Sequence, residues 1–258
     1  MNKKIVIKTV IWTFCIAWVS MGCILIANQF GYHKFETPLS LVLFYFGGIS
    51  PAIVAFIVLP KNNVMTTKQL LKTTLGIKQP VPMYLLVIGF VVVYFGIASL
   101  TKMFEYDYPL YLSVLTFPIM ILGGGLEEVI WRFVLNPALE RKLSFAVACL
   151  ITGVIWSIWH LPMFYIEGSG QAEMNFGIFA IGSIGVSFAY AAIYRISKSV
   201  WLCVFVHALN NSLYNSFTMN VGRFDTAVIP ATITAATLII VSVLAVTITE
   251  KRNSNVPR

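Results

Sequence analysis

The chain has 258 residues, of which 58% are hydrophobic and only 11% charged, with a formal net charge of +8. Soluble domains carry about 25% charged residues, so this composition excludes an ordinary soluble domain and indicates an integral membrane protein. The basic residues are scattered between apolar runs rather than gathered into a patch, which argues against nucleic acid as a partner and fits lysines flanking bilayer segments.

Charge-free windows run over 9–33, 37–60, 79–101, 108–126, 143–166, 174–194, 199–222 and 226–249, each 19 to 25 residues long. About 20 residues span the hydrocarbon core as a helix. In lipid every backbone group must be bonded internally, and runs this continuous point to helices rather than a barrel. The pattern predicts an all-α, polytopic membrane helical bundle of about eight transmembrane helices, a single domain over 1–258 surrounded by membrane lipids. The fourth window has to continue through Glu127, Glu128 and Arg132 toward Leu139. Lys3, Lys4 and Lys8 precede the first window as a signal peptide's basic region would. Its apolar run continues to Ala27 without a small-x-small site, so it reads as an uncleaved anchor. Ser20-Met21-Gly22-Cys23 is a poor lipoprotein box. Cys15, Cys23, Cys149 and Cys203 form no C-x-x-C pair and read as buried free thiols. The polar segment 61–79 is mildly amphipathic and is expected along the cytoplasmic interface. His33, in a short loop beside Lys34, reads as solvated and incidental.

Lysine and arginine set the orientation. Alternate flanks carry 14 and 3 of them, with Arg132 left out as part of a motif. The richer set includes both ends of the chain, which places both termini in the cytoplasm.

The charges inside the spans are concentrated in one place. Gly123-Gly124-Gly125-Leu126-Glu127-Glu128-Val129-Ile130-Trp131-Arg132 puts two carboxylates and a guanidinium into apolar sequence. Ionisable groups at membrane depth cost ~2.5–3.5 kcal/mol on insertion scales and usually mark function. On a helix, Glu128 and Arg132 are one turn apart and can pair. Glu127 points ~100° away and is left unpaired by this logic. Further along, Trp156 and His160 stand at i and i+4, and so do His207 and Asn211. Singly, each histidine reads as an interhelical hydrogen-bond partner. Two histidines, an amide and a carboxylate at span depth suggest one convergent polar cavity.

In this order, Glu127-Glu128-x-x-x-Arg132, Trp156-x-x-x-His160 and His207-x-x-x-Asn211 resemble the three motifs of the CPBP family. This is the CAAX-protease and bacteriocin-processing family, also called Abi, which includes the type II CAAX prenyl endopeptidases. The resemblance covers roughly 127–211, within a catalytic core at about 109–215. The family's second motif usually begins with Phe; Trp156 replaces it, a mild departure in a packing position. The resemblance implies an intramembrane endopeptidase acting on membrane-associated peptides.

For that chemistry, Glu127 with His160 can hold and deprotonate a water. His207 and Asn211 can donate to the oxyanion, and Glu128 with Arg132 and Trp156 supports them from behind. A metalloprotease version, with a divalent ion such as zinc, would use Glu127, His160 and His207 as ligands. No H-E-x-x-H is present, which favours the metal-free version. Gly123 to Gly125 read first as a site of close helix packing, and Pro137 and Pro162 as kinks or helix ends. Straight, upright helices would leave Glu127, His160 and His207 at unequal depths, so tilt or breaks are expected. Two competing classes keep the fold without proteolysis: a bacteriocin-immunity or scaffold protein that binds a peptide, and a small transporter. An unpaired Glu127 argues against the first and the lack of an internal repeat against the second.

Overall fold

A computed structural model of the protein describes residues 1–31 and 37–254. It is almost entirely helical. α1 (Lys3–Gln29) is capped by Asn2, whose side chain accepts from the Lys4 N–H. α2 (Pro38–Gly48) starts on a Thr37 cap with proline in its first turn, and α3 (Ser50–Lys61) follows after a 51° bend. α4 (Thr67–Thr74) is a short helix opened by a capping box between Thr66 and Gln69. It buries Leu70 and exposes Leu71, Lys68 and Lys72, the two-sided character expected of an interfacial segment. α5 (Val81–Leu100) leads to β1 (Phe104–Tyr106) and then α6 (Tyr111–Leu122).

The fourth apolar window is one broken span, Tyr111–Glu140. After Gly123 and Gly124 a single 3-10 turn covers Gly125–Glu127. α7 (Glu128–Ile130) is followed by a wide π turn over Trp131–Leu135 and by α8 (Asn136–Glu140). Pro137 gives the wide turn a cause, because it lacks the N–H that would bond Phe133 and its ring crowds that carbonyl. π turns of this kind recur at functional sites.

α9 (Phe145–Trp159) begins on a Ser144 cap and ends where Pro162 enters a 3-10 turn over Leu161–Tyr165. α10 (Phe176–Ser197) runs from an Asn175 cap to Lys198, which takes a left-handed conformation. α11 (Val200–Leu213) starts on Ser199. β2 (Phe217–Met219) pairs antiparallel with β1, Phe104 opposite Met219, and α12 (Phe224–Ser254) closes the bundle. Small residues set the close crossings. A Cβ on Gly153 would lie 2.9 Å from the Ile184 Cα, and one on Gly185 2.6 Å from the Ala235 Cα. Such approach is how helices associate in lipid, where the hydrophobic effect between them is lost.

The bundle is the expected all-α membrane architecture, but its span count differs. Among the described residues six helices are long and apolar enough to cross, or seven with α2 and α3 as one bent span, rather than eight. The remaining window, 199–222, holds α11, which connects the Arg195 end of the bundle to the β1–β2 end but is shorter than the helices counted. It contains no charge, yet Asn210, Asn211, Asn215 and Asn220 interrupt it. Its helix stops at 14 residues, about 21 Å at 1.5 Å per residue, short of a ~30 Å hydrocarbon core. α11 is enclosed by its neighbours, with ten of those 14 residues buried.

The two ends of the bundle are knitted separately. At one, Arg195 pairs with Glu140 and Glu250, and Arg141 Nη1 donates to the Met1 carbonyl at 2.8 Å. At the other, the β1–β2 ladder is joined by Thr218 Oγ1 donating to Asp107 and Asn220 Nδ2 donating to the Lys102 carbonyl. Cys149 and Cys203 are buried free thiols as expected. Cys15 and Cys23 are free but lie on the outer face of α1, because their helical positions face away from the bundle. His33 falls outside the described residues.

Candidate active site

One cavity of about 380 Å³ runs into the bundle, and Glu127, Trp156, His160, His207 and Asn211 all line it. The rest of its wall is mostly aromatic and methionine side chains, among them Tyr94, Phe179, Met120 and Met163. The unequal depths inferred for straight helices are reconciled by breaks. Glu127 sits in the 3-10 turn before α7, His160 caps the end of α9, and His207 lies midway along α11.

Glu128 and Arg132 form the expected one-turn ion pair, Nε to Oε2 at 2.7 Å, with neither side chain exposed. Arg132 Nη1 also donates to Ser187 Oγ at 2.8 Å, and its guanidinium lies 5.8 Å from the Trp156 ring and 5.7 Å from the Tyr190 ring. The other Glu128 oxygen accepts from His207 Nδ1 at 2.8 Å. Arg132, Glu128 and His207 thus form a buried chain, so Glu128 orients His207 rather than Glu127.

Glu127 is not unpaired, as the helical geometry suggested. It has no cation, but its Oε2 accepts from Trp156 Nε1 at 2.7 Å and from Trp131 Nε1 at 3.3 Å. Trp156 is therefore more than packing: its indole N–H does what a phenylalanine could not. Its carbonyl in turn accepts from His160 Nδ1 at 2.9 Å.

These bonds decide the tautomers. A carbonyl and a carboxylate can only accept, so both histidines carry a proton on Nδ1 and keep Nε2 for the cavity. Neutral His160 then offers a lone pair at Nε2. His207 does the same when neutral, and becomes a donor there only as an imidazolium paired with Glu128. Asn211 faces the cavity with no side-chain hydrogen bond to the described residues.

Gly124 explains part of the glycine run. A Cβ there would stand 2.2 Å from Asn211 Nδ2 and 3.0 Å from His207 Nε2. One on Gly125 would meet the Val204 carbonyl oxygen at 2.7 Å. The run both ends α6 and lets the chain lie against α11. Sequence reasoning missed Trp131, Ser187 and Tyr190. Trp131 stands one turn after Glu127, so the spacing that paired Glu128 with Arg132 also pointed to it; Ser187 and Tyr190 carried no local signal.

Among the described residues no group of three His, Cys, Asp or Glu side chains is placed to hold a metal ion. Glu127, His160 and His207 share the cavity wall without forming a three-ligand cluster.

The comparisons with known proteins cover the same region. Residues 109–213 match the model of the type II CAAX prenyl endopeptidase Rce1-like family. Over 102 residues the chain is 26% identical to CAAX prenyl protease 2 of Methanococcus maripaludis, a match covering 36% of this chain and 37% of that protein. Over 92 residues it is 28% identical to a Bacillus subtilis protein provisionally named membrane peptidase YdiL, covering 36% of this chain and 32% of that protein. The chain thus matches about a third of the length of each relative. The matched segment runs from the start of the broken span to the end of α11 and holds Glu127, Trp156, His160, His207 and Asn211. Residues 109–213 of this integral membrane protein are thus similar to the type II CAAX prenyl endopeptidase Rce1-like family, over less than half of the chain.

Proposed function

We propose that the protein is an intramembrane endopeptidase that hydrolyses a peptide bond in membrane-associated substrates. The observation that carries this reading is the convergence of Glu127, His160, His207 and Asn211 on one otherwise apolar cavity. A water donating one hydrogen to Glu127 and the other to His160 Nε2 is held by two acceptors. As its oxygen attacks the substrate carbonyl, its proton passes to Glu127, which then delivers it to the leaving amine. The oxyanion receives a hydrogen bond from Asn211 Nδ2 and, when His207 is an imidazolium, one from His207 Nε2. Such donors are worth ~2.7–4 kcal/mol each in a comparable hydrolase. Arg132 and Glu128 keep His207 aimed. The apolar wall suits a hydrophobic peptide segment arriving from the bilayer, and methionines let it adapt to varied side chains.

The test incubates purified protein with a library of membrane-anchored peptides, with and without chelator, and reads products by mass spectrometry. Internal cleavage by wild type and none by Glu127→Gln supports the reading; intact peptides under all conditions overturn it. Loss of cleavage with chelator alone would instead assign a metal to the site.

We propose an orientation with both termini in the cytoplasm. The basic flanks predict both termini in the cytoplasm, and the segments around Met1, Glu140, Arg195 and Glu250 do meet at one end. Reporter fusions at the carboxyl terminus and within 61–78 should both report cytoplasm. An external signal from either reverses the assignment.

A further inference from the structure

Trp156 touches more of the site than any other side chain. Its indole N–H reaches Glu127 at 2.7 Å and its carbonyl holds His160. Its ring stands edge-on to those of His160 and His207, with centroids 5.5 and 5.4 Å away. Trp131 reaches the same Glu127 oxygen from one helical turn ahead and is itself wedged against Trp159, centroids 6.0 Å apart. Trp131 is fully buried and Trp156 is 5% exposed.

Both indoles address Oε2. A carboxylate oxygen has two acceptor positions, and two N–H donors fill those of Oε2, leaving Oε1 as the oxygen that faces a reacting water. A carboxylate without such donors could rotate about its terminal torsion, which is broad and roughly two-fold. We infer that Trp131 and Trp156 form a two-indole clamp that fixes the Glu127 carboxylate with Oε1 toward the cavity, and that they are positioning residues for the reaction. Trp156 further ties this carboxylate to His160, because one residue holds both halves of the water site. The phenylalanine usual at this point of the motif would pack equally well and could supply only the carbonyl.

The inference rests on Glu127 acting as the base, and the test separates the two. In the first arm, ¹⁵N-tryptophan protein in detergent gives one indole N–H resonance for each of its six tryptophans. Signals are assigned from Trp131→Phe and Trp156→Phe. Glu127→Ala should move the Trp131 and Trp156 signals and leave the distant Trp12 and Trp201 in place. Unmoved signals overturn the clamp whether or not the protein cleaves anything. In the second arm, Trp156→Phe should lower kcat by about tenfold to a hundredfold with KM within about twofold of wild type. Trp131→Phe, removing the longer bond, should lower kcat less. Wild-type kcat in Trp156→Phe, or a change confined to KM, overturns the positioning role. If Trp156→Phe fails to fold, Trp131→Phe and the Glu127→Ala spectrum decide. Cleavage by no form, with the two signals moving as expected, leaves the clamp standing and removes the protease reading.

Discussion

Glu127→Gln should abolish turnover in a protein that melts like wild type, whereas Glu128→Ala should chiefly destabilise it. The amide oxygen of glutamine can still accept from Trp131 and Trp156, so the indoles keep their partner while the base is gone. Losing a general base costs about 10²- to 10⁴-fold in rate. Alanine at 127 is the harsher variant, because it strands two buried N–H groups at ~1–3 kcal/mol each. That partly offsets the relief of removing a buried carboxylate. Glu128 is different. Its removal leaves the fully buried Arg132 with only Ser187 as a hydrogen-bond partner and frees His207 Nδ1. Breaking a buried pair from one side costs ~3–5 kcal/mol, or roughly 6–20 °C in melting midpoint for a chain of this size. Arg132→Ala should behave similarly. Melting in detergent and peptide cleavage, measured side by side, check this. A Glu127→Gln protein that still turns over, beside a Glu128→Ala protein that is stable but dead, would mean the two carboxylates are assigned the wrong way round.

Gly124→Ala should leave the protein folded and inactive, and Gly125→Ala should prevent proper assembly. The added methyl at 124 lands 2.2 Å from Asn211 Nδ2, the far end of a side chain that can swing away. The bundle survives, but the amide is displaced and His207 Nε2 is crowded at 3.0 Å. Loss of one oxyanion donor costs about 10²- to 10³-fold in kcat. Asn211→Ala should show a loss of the same order, and the double variant should be hardly worse than either, since coupled residues are not additive. At 125 the methyl meets backbone, the Val204 carbonyl oxygen at 2.7 Å. Backbone cannot step aside without moving α11, so stability falls. The check is kcat and melting for the four variants. A fully active Gly124→Ala would show that Asn211 does not work from its present position.

The architecture was readable because lipid permits few alternatives. Uncharged windows of 19 residues or more have to be helices, and seven of the eight found their counterparts among the helices that can cross. The eighth holds the shorter α11, which ends among asparagines that a charge criterion does not register. The Glu128–Arg132 pair was legible from one-turn spacing. The same spacing contained Trp131, but an indole in an apolar run reads as packing until its N–H is seen to need an acceptor. Ser187, and the bond between Glu128 and His207, join residues 55 and 79 positions apart. No local period encodes such contacts; they depend on how closely α10 and α11 approach the broken span.

The split between near and distant partners bears on biogenesis. When the Tyr111–Glu140 segment leaves the ribosome, α9 and α11 do not yet exist. Its carboxylates meet the translocon with only what the segment itself supplies. Both have a partner one turn ahead, Arg132 for Glu128 and Trp131 for Glu127. A nascent hairpin can therefore enter the bilayer with its charge already answered within its own sequence. Trp156 arrives with the next hairpin and His207 later still, each exchanging a solvated or lipid-facing state for a place on a carboxylate that is waiting for it. In that order the water-holding pair can form before α11 is made, and the oxyanion donors His207 and Asn211 come last.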